Sequence, residues 1–321
     1  MKRPSWLALV AAAWLVWTGP VRSEEPPASK PGDAKSDAAA KDANADEPRF
    51  IRVRRNDKKQ PVAMETSVVR YVPAGADREG VAVDLVGAVH IGDKSYYDEL
   101  NKLFKTYDVV LYELVAPEGT RIPKEGRKQG GGHPIAAVQN GMSSMLELVH
   151  QLDCVDYTPE NFVHADMSPE EFNKSMANRG ESFMQMFLRL MGQGMAQQAA
   201  AQQGGKGSSD LDLLVALFSR DRASKLKLLM AEQFENMESQ MIMFDGPTGS
   251  TIITERNKRA FEVLGEQLKA GKKKVAVFYG AGHLPDMEKR LLGDFAMKRH
   301  SEQWLTAWAL EKPAAKRPAD E

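Results

Sequence analysis

An apolar run that stops at Gly-Ala-x-His, then continues with an apolar residue, any residue and Asp, is written twice in this chain. The copies are "VDLVGAVHIGD" (residues 83–93) and "VAVFYGAGHLPD" (residues 275–286). Each run has the length and composition of a buried strand, and a helical pattern follows each. After the first copy, "KSYYDELNKLFKTY" sets Tyr97, Leu100, Leu103 and Phe104 on one helical face, and "DVVLYELV" is again strand-like. Strand, helix, strand in that order is a βαβ unit with parallel strands and a right-handed crossover. After the second copy, "DMEKRLLGDFAMKRH" reads as a helix. The expected fold is α/β, a mostly parallel sheet flanked by helices, with a large helical insertion between the two halves.

The rest of the chain sets the boundaries. Residues 1–23, "MKRPSWLALVAAAWLVWTGPVRS", open on Lys2 and Arg3 and run apolar from Trp6 to Trp17 before Gly19 and Pro20 break the run. This is the pattern of a secretory signal peptide, shorter than the about 20 residues of a spanning helix. Export to the periplasm or the outside is therefore expected. The alternative is an uncleaved anchor, which would be the chain's only link to a membrane. Residues 24–47 lack large apolar side chains and read as a disordered linker. The α/β domain is expected over 48–310, opening with a lead-in hairpin of "RFIRVRR" and "TSVVRYVP", and 311–321 is a tail.

Within the domain, 135–250 reads as the helical insertion. Ser168-Pro169-Glu170-Glu171 supplies a capping box, and residues 192–210 are low-complexity. A last helix over "TERNKRAFEVLGEQLKAG" is capped by Ser250 or Thr254 and stops at Gly271. The single cysteine, Cys154, leaves an exported chain without an intramolecular disulfide.

In open α/β sheets ligands bind beyond the carboxyl ends of the strands. His90 and His283 each follow such an end by a few residues, and neighbouring strands would aim both into one crevice. Asp93 and Asp286, three residues further on, would cap the next helix or orient the ring. Glu113 closes "DVVLYE" on the same edge. Two imidazoles and a carboxylate form a known catalytic metal set, so His90, His283 and Glu113 are the expected ligands of a divalent metal ion of open identity. Such an ion would acidify water and polarise a carbonyl. The alternatives are an ordinary turn residue for each histidine and, for Glu113, an ion pair with a nearby Lys or Arg.

The paired "GAVH" and "GAGH", the "YE" of "VVLYE" and the "ERN" of "IITERN" together resemble the TraB/PrgY/GumN/Tiki family. All four elements stand in that family's order between about Val81 and His283. The resemblance implies an α/β core of the erythromycin-esterase-like and ChaN-like kind, lined by His90, Glu113, Arg256 and His283, with Asn257 beside them. It further implies either a metal-dependent peptidase or a protein that binds peptides without cleaving them. The long Gln/Ala/Gly-rich stretch and the basic glycine-rich loop after Glu113 depart from many members. Arg256 would clamp a carboxylate or steady an oxyanion. Its alternative is an ion pair with Glu255 or Glu262 on its own helix.

Other candidates are weaker. His164 and Asp166 read as loop residues at a helix entrance, with extra ligands as the alternative. His133 lies in the glycine-rich loop, while His150 and His300 fall in helical patterns. Methionines from Met142 to Met243 suit core packing, or a lid over the crevice. A net charge of −1 without a basic surplus argues against nucleic acid. The expected function is a metal-dependent hydrolase acting on a peptide or small carbonyl substrate. The rival is a non-catalytic envelope protein that sequesters a peptide or a haem-like ligand.

Overall fold

The structure, a computed structural model, describes residues 50–75, 78–120, 122, 146–182, 221–231, 245 and 248–311. The signal segment, the linker, His133, the low-complexity stretch, most of the methionines and all but the first residue of the tail lie outside them. Among the described residues no helix is long and apolar enough to cross a membrane.

The lead-in hairpin forms as expected: β1 (Ile51–Arg55) pairs antiparallel with the first half of the long strand β2 (Pro61–Pro73). The second half of β2 pairs with β3 (Ala82–Ala88). From β3 onward the sheet is parallel, in the order β3, β8 (Lys274–Gly280), β5 (Val109–Tyr112), β7 (Phe162–His164). The βαβ reading of β3, α1 (Lys94–Phe104) and β5 gives parallel strands, but the late strand β8 is inserted between them.

Alternation along these strands sorts their side chains onto two faces. Val83, Leu85, Val275, Val277, Val109 and Leu111 enter one core, with Phe261, Leu264, Met287 and Leu291 from α4 (Arg256–Lys269) and α5 (Leu284–Gly293). Val86, Ala88, Ala276, Phe278, Val110 and Tyr112 enter the other, under Tyr96, Tyr97, Leu100 and Phe104 of α1. Both faces are covered, which is why these strands read as continuous apolar runs.

Two expectations need correction. The stretch 135–250 is not wholly helical: β6 (Val149–His150) pairs antiparallel with β4 (Ile91–Gly92), and β7 adds a parallel strand beside β5. Among the described residues after β6 in that stretch, α-helix comprises the short α2 (Gln151–Cys154), α3 (Pro169–Asn178), residues 222–231 and residue 245. Three residues are too few to show a strand period, and β7 exists because the edge of β5 offers it partners.

Likewise the helix expected through His300 ends at Gly293, and β9 (Met297–Ala309) runs antiparallel along β2 from Ala63 to Pro73. Pairing with an otherwise open strand edge outweighs the local helical pattern. The cap of α3 is as read: the Ser168 hydroxyl accepts from Glu171 N–H at 3.1 Å, and the Glu171 carboxylate accepts from Ser168 N–H at 2.7 Å.

Candidate functional site

The parallel strands deliver their loops to one edge. Ala88 pairs with Gly280, and Tyr112 with Phe278, so His90, Glu113 and His283 all lie just beyond adjacent strand ends. Asp166 follows β7 on the same edge.

Arg256 is brought in by α4, whose first residue it is. One π-helical turn, Thr251–Glu255, leads into that helix, an irregularity often found at functional sites. The Ser250 hydroxyl caps the turn by accepting from Ile253 N–H at 3.2 Å, and both Ser250 and Thr254 donate to Asp245, at 2.6 and 2.7 Å. Arg179 ties the turn down through Glu255 and the carbonyls of Thr248 and Gly249. Gly249 has φ +74°, and a Cβ there would stand 2.7 Å from Thr254 Cβ. Gly249→Ala is therefore expected to destabilise the protein by about 1–3 kcal/mol, read as a lower midpoint in urea denaturation.

The guanidinium of Arg256 grips two carboxylates. Its Nε and Nη2 donate to Asp166 Oδ1 and Oδ2 at 2.9 and 2.6 Å, and Nη2 also donates to Glu113 Oε1 at 2.7 Å. The Nη1 group makes no hydrogen bond to the described residues. Neither Glu255 nor Glu262 is its partner: Glu255 serves Lys258 and Arg179, and Glu262 serves Arg259. Glu113 is indeed ion-paired, and its partner is the other expected site residue.

Glu113 Oε2 accepts the Gly280 N–H at 2.6 Å. A Cβ on Gly280 would lie 3.2 Å from that oxygen, so a side chain there would have to push the carboxylate back by a few tenths of an ångström. Burial alone would raise the Glu113 carboxyl. Arg256, then His283, His90 and the Gly280 N–H, overcome burial and hold it well below the ordinary carboxylate range.

His283 ends a 3₁₀ turn, Ala281–His283, and is buried. Asn257 Nδ2 donates to His283 O at 3.1 Å and to Asp286 Oδ2 at 2.8 Å, which leaves Asn257 Oδ1 facing His283 Nδ1 at 2.7 Å. Nδ1 therefore carries the proton, and Nε2 presents a bare lone pair 3.5 Å from Glu113 Oε1. Burial pushes this imidazole down to about 4, against the pull of Glu113.

Asp286 thus orients the ring at one remove, through Asn257. Asp93, its counterpart in the first copy, does neither expected job: it makes no side-chain cap, pairs with Lys227 at 2.8 Å and accepts Ala309 N–H at 2.6 Å. His90 is partly exposed; burial lowers its pKa, with Glu113 pulling the other way and Arg256 adding to the fall.

All five expected residues therefore converge, and Asp166, read from sequence as a loop residue, joins them. Its side chain is fully buried beneath Arg256. Its one signal in the sequence was the His164-x-Asp166 pair before a capped helix, weighed above as extra ligands. His164 is not part of the cluster and bonds Leu114 O at 2.6 Å. His150, expected in a helix, lies on β6 opposite Ile91, with its Nε2 buried and unpartnered among the described residues.

Two features bear on a metal ion. The 3.5 Å between His283 Nε2 and Glu113 Oε1 suits two ligands about 2.1 Å from one ion. Yet both Glu113 oxygens are already bonded, and among the described residues no three His, Cys, Asp or Glu side chains form a ready ligand set. Of the expected three-ligand centre, His283 and Glu113 stand at a spacing that suits an ion, and His90 lies on the same edge.

No protein-family model, curated protein or solved structure matches this chain, so the likeness to the TraB/PrgY/GumN/Tiki family rests on its motif residues.

Proposed function

We propose that this crevice is the hydrolytic site of an exported α/β protein of the TraB/Tiki kind, acting on a peptide or another carbonyl substrate. One observation carries the reading: a tautomer-fixed imidazole nitrogen stands 3.5 Å from Glu113, and on the same edge Arg256 Nη1 has no hydrogen-bond partner among the described residues.

A water between His283 and Glu113 gives its proton to Nε2 as its oxygen adds to the carbonyl carbon. The ionised Glu113 stabilises the imidazolium, and the N–H groups of Arg256 Nη1 receive the charge developing on the carbonyl oxygen. The proton then passes to the leaving nitrogen as the C–N bond breaks. The metal-dependent form of this reading takes His283, Glu113 and His90 as ligands of a divalent ion, which would polarise the carbonyl and acidify the water.

The full chain incubated with a peptide library, with and without chelator, tests the proposal. Product formation is expected. Tight binding without product overturns it in favour of a sequestering protein. Lower metal content in both His90→Ala and His283→Ala, with chelator-sensitive cleavage, supports the metal-dependent form; chelator-resistant cleavage supports the other.

A further inference from the structure

We propose that Gln151 is a positioning residue of the site, holding the His90 ring in one tautomer as Asn257 holds that of His283. The proposal rests on the crevice reading above, and its first readout is independent of turnover.

The backbone brings Gln151 to His90. Ile91 pairs with His150 across β4 and β6, and the Gln151 N–H donates to His90 O at 2.8 Å. Gln151 is only 7% exposed. Its Nε2 donates to Tyr157 Oη at 2.8 Å, and Tyr157 is itself buried against Tyr112, with ring centroids 5.2 Å apart. One half of the amide is thereby used, and its orientation is set. The other half, Oε1, is buried with no hydrogen-bond partner among the described residues.

A buried amide oxygen left unbonded is costly, so a donor belongs there. The backbone bond from Gln151 N–H to His90 O brings the His90 imidazole, such a donor, to this amide, and the amide acts to raise that ring's pKa, the direction expected of an acceptor facing its N–H. An N–H of His90 bound to Oε1 leaves the other ring nitrogen as a lone pair. The two copies of the repeated phrase are then served alike, each histidine by a carboxamide whose NH₂ is anchored elsewhere. Asn257 comes from α4 and Gln151 from the start of α2, so no local repeat accompanies them.

The test is the ¹⁵N–¹H ring correlations of His90 in the folded full chain. Wild type is expected to show a single neutral tautomer, Gln151→Leu a mixture, and Gln151→Glu, which keeps an acceptor, a single form. On a cleaved peptide, Gln151→Leu is expected to lower kcat about 10–100-fold with KM little changed, and Gln151→Glu to recover much of it. Should Gln151→Leu not fold, Tyr157→Phe releases the amide and is expected to give partial mixing. Unchanged His90 signals in whichever of these variants folds overturn the proposal. A chain that cleaves nothing but shows these tautomer changes overturns the hydrolase reading and leaves this one standing.

Discussion

Arg256→Met is expected to be the most damaging single replacement in the site. It removes a cation that serves both Asp166 and Glu113, with Asp166 fully buried and Arg256 only 8% exposed. Removing one partner of a buried pair typically costs about 3–5 kcal/mol, because the remaining charge is left without compensation. The loss should also depend on pH in a diagnostic way. In the wild type the Glu113 carboxyl is held below its ordinary value of 4.5, so its contribution is present above that pH and fades as pH falls further. Without Arg256, burial dominates and raises the carboxyl, so the variant gains stability as pH drops from neutral through the raised value. Urea denaturation at pH 7 and pH 5 should show the gap between the two proteins narrowing. A gap near about 1 kcal/mol at pH 7, as for an exposed pair, would sink the buried-grip account.

His283→Gln is expected to lower kcat/KM by about 10²–10⁴, the usual contribution of a positioned base. The pH profile gives the sharper check. An ordinary imidazole with a value of 6.5 would lose its lone pair below neutrality, whereas burial here pushes His283 down to about 4. Wild-type cleavage should therefore hold through pH 5 and fall with a midpoint near 4. Stability follows the same sign: with the folded value depressed, the contribution is full above 6.5 and is lost as pH falls towards 4. The glutamine variant lacks that part of the acid sensitivity. An acid limb near 6.5 would show that the ring is hydrated and that the proposed geometry is wrong.

The site was legible to the extent that its residues end long apolar strands. His90, Glu113 and His283 were found this way, and Arg256 and Asn257 through the family pattern. Asp166 and Gln151 escaped because each hangs on an element of only a few residues, β7 or β6 and α2, whose existence depends on partners supplied by β5 and β4. The two aspartates of the repeated phrase carry identical local signals but take up different tasks, Asp286 behind Asn257 and Asp93 against Lys227.

Strand and helix patterns, the capping box of α3, the α/β class and the paired histidines are properties of neighbouring residues, so the amino-acid order alone determines them. Which strand lies between which, which carboxylates share Arg256, and which carboxamide faces which imidazole depend on groups far apart in the chain, 167 positions in the case of Glu113 and Gly280. Such contacts form only when burial of both sheet faces fixes the strand order, and that is decided by packing of the whole chain rather than by any short stretch of it.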